Sequence, residues 1–211
     1  MVEDVYDWWS RHPRAMDLLY AVAFLGRESS IRRRAVDTLA PAPGEAVVEV
    51  GCGAGRSLRQ LREGVGPGGR VVGLDASAGM VRAARERARE AGWDNVHAVR
   101  GDARGPPLPD GGFDAVYAAM SLSAVPDPAA AVRAAHGLLR PGGRLVVLDA
   151  RPFRRWPLRA LNAVVVPVSR ATTNWVPEVD LPEAMRAVFG GCTTEAFNGG
   201  TVFVATARRN G

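Results

Sequence analysis

The stretch VVEVGCGAGRS, residues 47–57, runs from an apolar segment into a glycine-rich turn and carries an acidic residue, Glu49, within its apolar part. Glycine occupies alternate positions of the turn, at Gly51, Gly53 and Gly55. Such a turn, after the first strand of a βαβ unit, brings the backbone close to a nucleotide at the start of the next helix. The stretch therefore predicts a strand, a ligand-binding turn and a helix, in that order.

Outward from this turn, apolar runs typical of strands alternate with patterns typical of helices. The predicted strands are 46–50, 70–75, 96–101, 113–119 and 144–149, and their near-continuous apolar character indicates a parallel sheet buried on both faces. Helices are predicted over 56–62, over 77–91 with Ser77 as N-cap, and over 127–139 with the stop 140–143. This alternation predicts one α/β domain with a doubly wound sheet.

The two ends of the chain follow different patterns. Residues 1–40 carry apolar and aromatic side chains at helical spacing, and we expect them to form a helical lid over the ligand. Near the other end, 193–197 and 201–207 read as two strands joined by Asn198-Gly199-Gly200. Because Asn-Gly is a strong hairpin signal, the sheet is predicted to end in an antiparallel hairpin.

Composition limits the classes of function. The 211 residues suffice for one domain with a sizeable core. All 27 basic residues are Arg and the net charge is +5, which permits contact with nucleic acid or an anionic membrane without establishing either; the cluster 32–34 is interpreted as a solvated helix face. Two cysteines and three histidines, all scattered, give no disulfide framework and no metal site.

The N-terminal sequence MVEDVYDWWS is acidic and polar, which is not the pattern of a signal peptide. No run of about 18 apolar residues occurs, so no membrane-spanning helix is predicted. These two features predict a cytoplasmic location. The oligomeric state stays open.

Acidic residues at the ends of the predicted strands indicate the kind of ligand. The turn lacks both the G-x-G-x-x-G spacing and the Gly-Lys-Ser/Thr of phosphate-binding loops, and Glu49 would repel a pyrophosphate but suit a positive charge. Asp75, at the end of the second strand, can accept both hydroxyl groups of a ribose. Asp102, after the third strand, can accept from an adenine amino group. Together they predict a cationic nucleoside.

On these residues the chain resembles the class I S-adenosylmethionine-dependent methyltransferases. The resemblance runs from Pro43 to Ala150 through PGEAVVEVGCGAGRS, VVGLDASAGMVRAARERA, VRGDARGPPLPDGGFDAVYAAMSL and LLRPGGRLVVLD. It implies a Rossmann-like three-layer sandwich whose seven strands have the order 3-2-1-4-5-7-6, with the last strand antiparallel. It also implies S-adenosyl-L-methionine as the cofactor and methyl transfer as the reaction.

The resemblance further implies which residues bind the cofactor. Those expected at its methionine part, its ribose, its adenine and its sulfonium are, in chain order, Glu49, Gly51, Cys52, Gly53, Asp75, Ala76, Met80, Asp102, Ala103, Ala119 and Met120.

The segments 17–55 and 197–209 are similar to the ubiquinone/menaquinone-biosynthesis C-methyltransferase family. This narrower resemblance implies a small, apolar acceptor, such as a quinone precursor or a lipid-like molecule. Members often carry a Leu-His pair after the fourth strand, whereas this chain has Leu122-Ser123, so no role of that histidine is carried over.

Methyl transfer from a sulfonium requires mainly alignment and exclusion of water, and a base is needed only if the acceptor loses a proton. Candidate bases are Tyr6, His12 and Tyr20 in the predicted lid. The segment 151–190 follows the fifth strand and is predicted to cap the acceptor, with Tyr20, Asn174 and Trp175 as acceptor contacts. Three interpretations of 151–175 stay open: a cap alone, a cap that also contacts a membrane surface, and packing unrelated to the acceptor.

Two other functions remain as alternatives. Enzymes that methylate base amino groups carry an Asn/Asp-Pro-Pro-aromatic turn after the fourth strand, whereas residues 119–122 read Ala-Met-Ser-Leu. Cytosine C5 chemistry needs a cysteine in the crevice, and Cys192 is predicted on the sixth strand instead. These departures argue against RNA or other nucleic acid as the acceptor. The second alternative is a cofactor-binding protein that has lost catalysis.

Overall fold

The computed structural model describes residues 8, 9, 11, 12, 14, 15, 18, 19, 21, 24 and 26–211. Between residues 26 and 211 the helices are α1 (Glu28–Leu39), α2 (Leu58–Val65), α3 (Ala78–Glu90), α4 (Pro128–Leu138), α5 (Asn162–Thr173) and α6 (Leu181–Phe189). The strands are β1 (Ala46–Val50), β2 (Arg70–Asp75), β3 (Val96–Arg100), β4 (Phe113–Ala119), β5 (Leu139–Ala150), β6 (Thr193–Phe197) and β7 (Val202–Arg208).

The strands form one sheet with the order β3-β2-β1-β4-β5-β7-β6. The pairs among β1 to β5 are parallel, whereas β7 runs antiparallel to both of its neighbours. The predicted strand order and the antiparallel last strand are therefore confirmed. Because β1, β2, β4 and β5 are parallel, their carboxyl ends lie at one edge of the sheet.

Two apolar layers, one on each face of the sheet, hold the fold together. One face packs against buried side chains of α1, α2 and α3, and the other against those of α4 and α6. All five residues of β1 are buried, as expected for a strand covered on both sides. This arrangement is the predicted Rossmann-like three-layer sandwich.

Two predicted helix starts are confirmed at the level of hydrogen bonds. The Ser77 hydroxyl accepts from the backbone N–H of Met80 at 3.2 Å, and the Asp127 carboxylate accepts from that of Ala130 at 2.9 Å. Both side chains occupy N-cap positions, where they satisfy backbone donors that have no partner within the helix. α3 begins after the short turn that follows β2, and α4 begins after the longer loop that follows β4.

Some element boundaries differ from the predictions. The helix after the glycine turn is shifted, to residues 58–65, because the glycine turn itself extends through Ser57. β5 begins earlier than predicted: Leu139 pairs with Phe113, and the register then shifts before Arg144 pairs with Ala115. Residues 140–143, predicted only as a helix stop, are thus an irregular part of β5. The turn between β6 and β7 is a three-residue 3₁₀ turn, 198–200.

The predicted cap segment 151–190 divides into two parts. Residues 181–189 form α6, whose side chains Leu181, Met185 and Phe189 are buried against the sheet and α4. Residues 158–173 form a 3₁₀ turn and α5, and neither contains a buried residue. Residues 158–173 therefore lie free of the core, whereas Trp175, between them and α6, is buried. Within the described part of the chain, no helix has both the length and the apolar character needed to cross a membrane.

Candidate functional site

A cavity of about 270 Å³ lies at the carboxyl ends of the parallel strands. All the residues predicted to bind the cofactor lie on its wall: Glu49, Gly51, Cys52, Gly53, Asp75, Ala76, Met80, Asp102, Ala103, Ala119 and Met120. We call it the first cavity. The cavity lies above the adjacent strands β1 and β4. After β1 the chain continues to β2 on one side of this pair, and after β4 it continues to β5 on the other side. Such a point is the usual ligand position in doubly wound folds.

The glycine turn after β1 is held tightly against its neighbours. The backbone N–H groups of Gly51 and Cys52 both donate to the carbonyl of Leu74, at 2.7 and 3.0 Å. Gly51 has a φ of +68°, and a Cβ there would lie 2.2 Å from the Cβ of Ser121. By contrast, a Cβ on Gly53 would meet no atom within 4 Å. The backbone at Gly53 is therefore open to a ligand in the first cavity.

The carboxylate of Asp75 is fixed by the backbone around it. One oxygen accepts from the N–H of Gly53 at 2.8 Å and the other from the N–H of Ser77 at 2.9 Å. A carboxylate has about four lone-pair sites, so both oxygens retain capacity to accept further hydrogen bonds. Asp75 thus joins the glycine turn to the start of α3 and presents an oriented acceptor to the first cavity.

Glu49 is buried at the end of β1, between Gly73 of β2 and Tyr117 of β4. Its Oε2 atom has no hydrogen-bond partner among the described residues. Burial raises the pKa of the Glu49 carboxyl to about 7, although Arg32 and Ser57 oppose the rise. A buried carboxylate without a full set of partners is costly, and a cationic group in the first cavity would stabilise it.

Two arginines on the same wall, Arg32 and Arg56, were not among the predicted site residues. Arg32 is buried, which corrects the interpretation of 32–34 as a solvated face; only its neighbours in that cluster are exposed. Its guanidinium donates to Glu28 and to the Ser57 hydroxyl, each at 2.9 Å. Arg56 lies 3.8 Å from Glu28. The signal that could have identified Arg32 is its place on the buried stripe of α1, beside Ile31 and Ala35.

Glu49 and these arginines place opposite charges side by side at one end of the first cavity. A zwitterionic amino acid group has the same pair of charges, with an ammonium to meet the carboxylate and a carboxylate to meet the guanidinium groups. The orphaned oxygen of Glu49 and the open backbone at Gly53 therefore fit the methionine part of S-adenosylmethionine.

Asp102 lies on the opposite part of the wall and is more exposed. Arg104 forms an ion pair with it at 2.6 Å and holds the pKa of the Asp102 carboxyl below its usual value. The carboxylate predicted to meet the adenine amino group is thus already paired with an arginine. Its neighbour Ala103 lines the same wall.

A second cavity, of about 740 Å³, adjoins the first and has a mainly apolar wall. Met120 and Ala124 line both cavities, so the two meet just beyond the end of β4. Met120 has a φ of +55°, a backbone conformation that few non-glycine residues adopt. The chain thus turns sharply where the two cavities meet.

The predicted acceptor contacts differ in their positions. Trp175 is buried on the wall of the second cavity, and its indole N–H has no hydrogen-bond partner among the described residues. Asn174 is adjacent in the chain, at the end of α5, but does not line the cavity; its amide nitrogen is also buried without a described partner. Tyr20 lies outside the described residues.

Of the candidate bases, Tyr6 and Tyr20 both lie outside the described residues. His12 is exposed: its ring stacks on Trp8 with centroids 4.2 Å apart, and its Nδ1 lies 2.9 Å from the Trp8 carbonyl oxygen. Neither cavity has His12 on its wall. The structure therefore does not bring His12 to the candidate site.

Ser123, in the loop after β4, lines the second cavity. Its hydroxyl donates to the buried carboxylate of Asp149 at 2.5 Å, and its backbone N–H donates to the same group at 3.0 Å. Asp149 also accepts from the N–H of Ala150 at 2.8 Å, while burial raises the pKa of its carboxyl. Asp149 therefore fixes the loop after β4 in place beside the cavity.

Comparisons with known proteins agree with this geometry. A family model described as a methyltransferase domain matches residues 47–143. The chain is 43% identical to nocamycin O-methyltransferase from Saccharothrix syringae, over 64% of this chain and 50% of that protein. It is 34% identical to aklanonic acid methyltransferase DauC from Streptomyces sp. strain C5, over 72% of this chain and 70% of that protein.

The narrower resemblance also has a counterpart among the relatives. The demethylmenaquinone methyltransferase of Listeria welshimeri is 38% identical over 50% of this chain and 45% of its own length. The chain thus spans about half the length of two of these three curated relatives. Among solved structures, a SAM-dependent methyltransferase from Thermotoga maritima matches with a TM-score of 0.72 and 20% identity over the full length of both chains, which supports the fold.

Proposed function

Because this chain belongs to the class I S-adenosylmethionine-dependent methyltransferases, we propose that it transfers a methyl group to a small, apolar acceptor bound in the second cavity. S-adenosylmethionine is the cofactor of the family, and the first cavity has the residues to hold it. When bound, the cofactor supplies an electrophilic methyl group on a sulfonium.

Each part of the cofactor has a matching group in the first cavity. Glu49 would accept from the methionine ammonium, and Arg32 and Arg56 would meet the methionine carboxylate. Asp75, oriented by two backbone N–H groups, would accept from the ribose hydroxyls. Asp102 would meet the adenine, sharing its carboxylate with Arg104.

The observation that carries the proposal is the junction of the two cavities. Met120 and Ala124 belong to both walls, so a methyl donor in the first cavity and an acceptor in the second would meet there. Aligning two reactants in this way lowers the barrier by roughly 7–11 kcal/mol in favourable cases. The apolar walls of the second cavity would also exclude water from the junction.

The acceptor is inferred from the second cavity. Its mainly apolar wall suits a hydrophobic ring system or chain, and the unpartnered indole N–H of Trp175 could donate to an oxygen on that acceptor. The relatives are named for nocamycin, aklanonic acid and demethylmenaquinone. We propose an acceptor of this general kind, a quinone precursor or a lipid-like molecule with at least one oxygen.

The two alternative functions make different demands. A nucleic-acid acceptor would have to insert a flipped base into the second cavity, whose wall offers few polar groups to read a base edge. An inactive cofactor-binding protein would not need a second cavity joined to the first. Both features favour a small-molecule enzyme.

The test is a transfer assay with a radiolabelled methyl group on S-adenosylmethionine. Demethylmenaquinone, a quinone-containing lipid extract and total tRNA serve as separate acceptors. We expect label in the organic phase with the first two and none in the tRNA. Label in tRNA alone would establish the nucleic-acid function, and no label in any of the three acceptors, despite cofactor binding by calorimetry, would favour an inactive protein.

A cavity-filling variant shows whether the second cavity holds the acceptor. Val165 lines it, and Val165→Trp should abolish transfer while leaving cofactor affinity unchanged. Ala187→Trp, on the exposed face of α6, is the control because Ala187 lines neither cavity. Equal activity of wild-type and Val165→Trp proteins would contradict the assignment of the acceptor to this cavity.

A further inference from the structure

Apolar side chains are unusually exposed between residues 156 and 168. The exposed fraction is 85% for Trp156, 66% for Val164, 54% for Val168 and 50% for Leu161. Positions 161, 164 and 168 follow helical spacing, so they share one face of α5 and its preceding turn. Exposed apolar groups that share a face mark an interaction surface rather than a random distribution.

The same region is strongly basic. Residues 151–175 contain five arginines and neither Asp nor Glu. Arg154 pairs with Asp180 and Arg170 pairs with Glu178, both from the segment that follows. Arg155 and Arg159 are exposed and have no carboxylate partner among the described residues. We call the surface formed by Arg155, Trp156, Leu158, Arg159, Leu161, Val164 and Val168 the basic apolar patch.

The basic apolar patch is continuous with the second cavity. Leu158, Val164 and Val168 line that cavity and are also exposed at the surface. α5 contains no buried residue, so its side chains on the cavity wall are also accessible to solvent. An apolar molecule could therefore pass from the patch into the cavity without crossing a polar surface.

We propose that the basic apolar patch docks on an anionic lipid surface, from which an apolar acceptor enters the second cavity. Trp156 would lie at the level of the lipid head groups, where tryptophan is favoured, with the aliphatic side chains of α5 beneath it. Arg155 and Arg159 would reach the lipid phosphates, to which each arginine is attracted. Docking does not depend on the proposed function, but acceptor entry does.

Two other occupants fit the surface less well. Single-stranded nucleic acid needs aromatic faces for base stacking, whereas Trp156 is the one strongly exposed aromatic residue described in 151–175. A second copy of the chain, related by a twofold axis, would gather the guanidinium groups of Arg155 and Arg159 from both copies in one interface, and the patch contains no carboxylate to pair with them. An anionic surface satisfies both the apolar and the charged groups.

The experiment measures binding of the full chain to vesicles by co-sedimentation. Vesicles of phosphatidylglycerol and phosphatidylcholine are compared with phosphatidylcholine alone, at low and high salt. We expect binding to the anionic vesicles that weakens as salt screens the charges. Arg155→Gln/Arg159→Gln should lower the partition coefficient by about thirtyfold.

The matched control is Arg82→Gln/Arg208→Gln, which removes the same net charge from exposed positions outside the patch. Arg208 of β7 lies opposite Arg144 of β5 in the sheet register, at the end of the sheet away from the cavities. This control should bind vesicles like the wild-type chain. Equal losses in both double variants would overturn the proposal, because they would indicate attraction by net charge alone.

Tryptophan fluorescence gives a second readout. Lipids brominated in the upper acyl chain should quench the emission of the wild-type chain, and Trp156→Phe should remove most of that quenching. No vesicle binding, or binding to RNA instead of vesicles, would overturn the proposal. So would a dimer in sedimentation velocity that Leu161→Ser/Val168→Ser abolishes. None of these results uses methyl transfer, so the proposed function would stand or fall separately.

Discussion

Glu49 shows how a single buried carboxylate can define a ligand's charge. Its position at the end of β1 removes it from water, while Oε2 keeps an unsatisfied lone pair. Arg32 and Ser57 lower the cost of burial without removing it, since the pKa of the Glu49 carboxyl remains about 7. The site is therefore stabilised further by a cation, and a neutral or anionic ligand would leave that cost in place.

Glu49→Gln should weaken cofactor binding by about 10- to 100-fold, the usual range for one charge-assisted hydrogen bond. The wild-type affinity should fall as pH drops through about 7, because protonation removes the charge that meets the ammonium. The affinity of Glu49→Gln should not change over this range. Calorimetry between pH 6 and about 8 measures both effects. A wild-type affinity independent of pH would contradict the role of Glu49.

Glu49→Gln should weaken cofactor binding but raise the stability of the cofactor-free fold. The folded-state pKa of about 7 exceeds the ordinary value of 4.5, so the folded chain binds a proton there that the unfolded chain has lost. Glu49 therefore destabilises the fold increasingly as pH rises from 4.5 towards 7, and fully above that range. Without cofactor, Glu49→Gln should melt at a higher temperature than wild type at pH about 8, and the difference should shrink near pH 5. Thermal unfolding at both pH values checks the sign.

Asp75 allows two substitutions that separate charge from geometry. Asp75→Ala removes acceptors for Gly53 and Ser77 and should reduce cofactor binding below detection. Asp75→Asn keeps one acceptor oxygen and should retain weak binding. Both are measured by calorimetry, with thermal unfolding as the control for folding. Unchanged affinity in Asp75→Ala would contradict the assignment of Asp75 to the ribose.

The positions of Glu49, Asp75 and Asp102 could be predicted because each lies at or just after the carboxyl end of a strand. The local apolar pattern and the turn residues that follow show where each strand ends. The burial of Arg32 was not predicted, because three consecutive arginines are typical of an exposed face and concealed the apolar stripe of α1 on which Arg32 lies. The pairing of Asp102 with Arg104 was not predicted either, since neighbouring charges in a loop have many equally good arrangements.

Helix α1 contacts both the first cavity and strand β5. Arg144 of β5 donates to the carbonyls of Leu39 and Ala40 at the end of α1, at 2.5 and 2.8 Å. It also pairs with Glu45 at 2.6 Å. The same helix carries Arg32 to the cavity wall. Cofactor binding therefore depends on a helix anchored by a residue that lies far along the chain.

Arg144→Met should destabilise the chain by about 2 kcal/mol, because Glu45 and two helix-end carbonyls lose their donor in a partly buried setting. Cofactor affinity should fall as well, since Arg32 would be less firmly positioned. Urea unfolding and calorimetry measure the two effects. The control is Arg140→Met, also on β5, which removes a more exposed ion pair with Asp114 of β4. It should change neither the stability nor the cofactor affinity by much. Equal losses in the two variants would contradict a special role for the α1 anchor.

Element boundaries show where sequence patterns stop being informative. The strands β1, β2 and β4 were predicted with the observed bounds because each is a buried apolar run between clear turns. The early start of β5 was missed because Arg140 and the glycines after it look like a turn, whereas the backbones of Gly142 and Gly143 hydrogen-bond to Arg209, just past β7. Helix α5 was predicted only as part of a cap because residues 163–168 form a near-continuous apolar run that includes Pro167, a pattern that does not distinguish a helix from a strand.

At the scale of the whole molecule, the fold divides into a well-packed three-layer sandwich and a cover, 158–173, that contains no buried side chain. The sheet and its flanking helices contain both buried clusters. Between them and the surface, α5 contributes no buried side chain yet forms part of the wall of the second cavity. Regions with few buried contacts open at lower free energy than the core, and elements that admit ligands commonly belong to them.

This division predicts separate responses to the two ligands in hydrogen exchange. The cofactor should slow exchange in the glycine turn 51–55 and at the start of α3, where its contacts would lie, and leave α5 nearly unchanged. Adding demethylmenaquinone with S-adenosylhomocysteine, which cannot donate a methyl group, should slow exchange across 158–173. Peptide-resolved mass spectrometry measures both patterns, and Val165→Trp should remove the second response alone. Protection of α5 by the cofactor alone would mean that the cover belongs to the first cavity, and the acceptor would then have to be sought elsewhere.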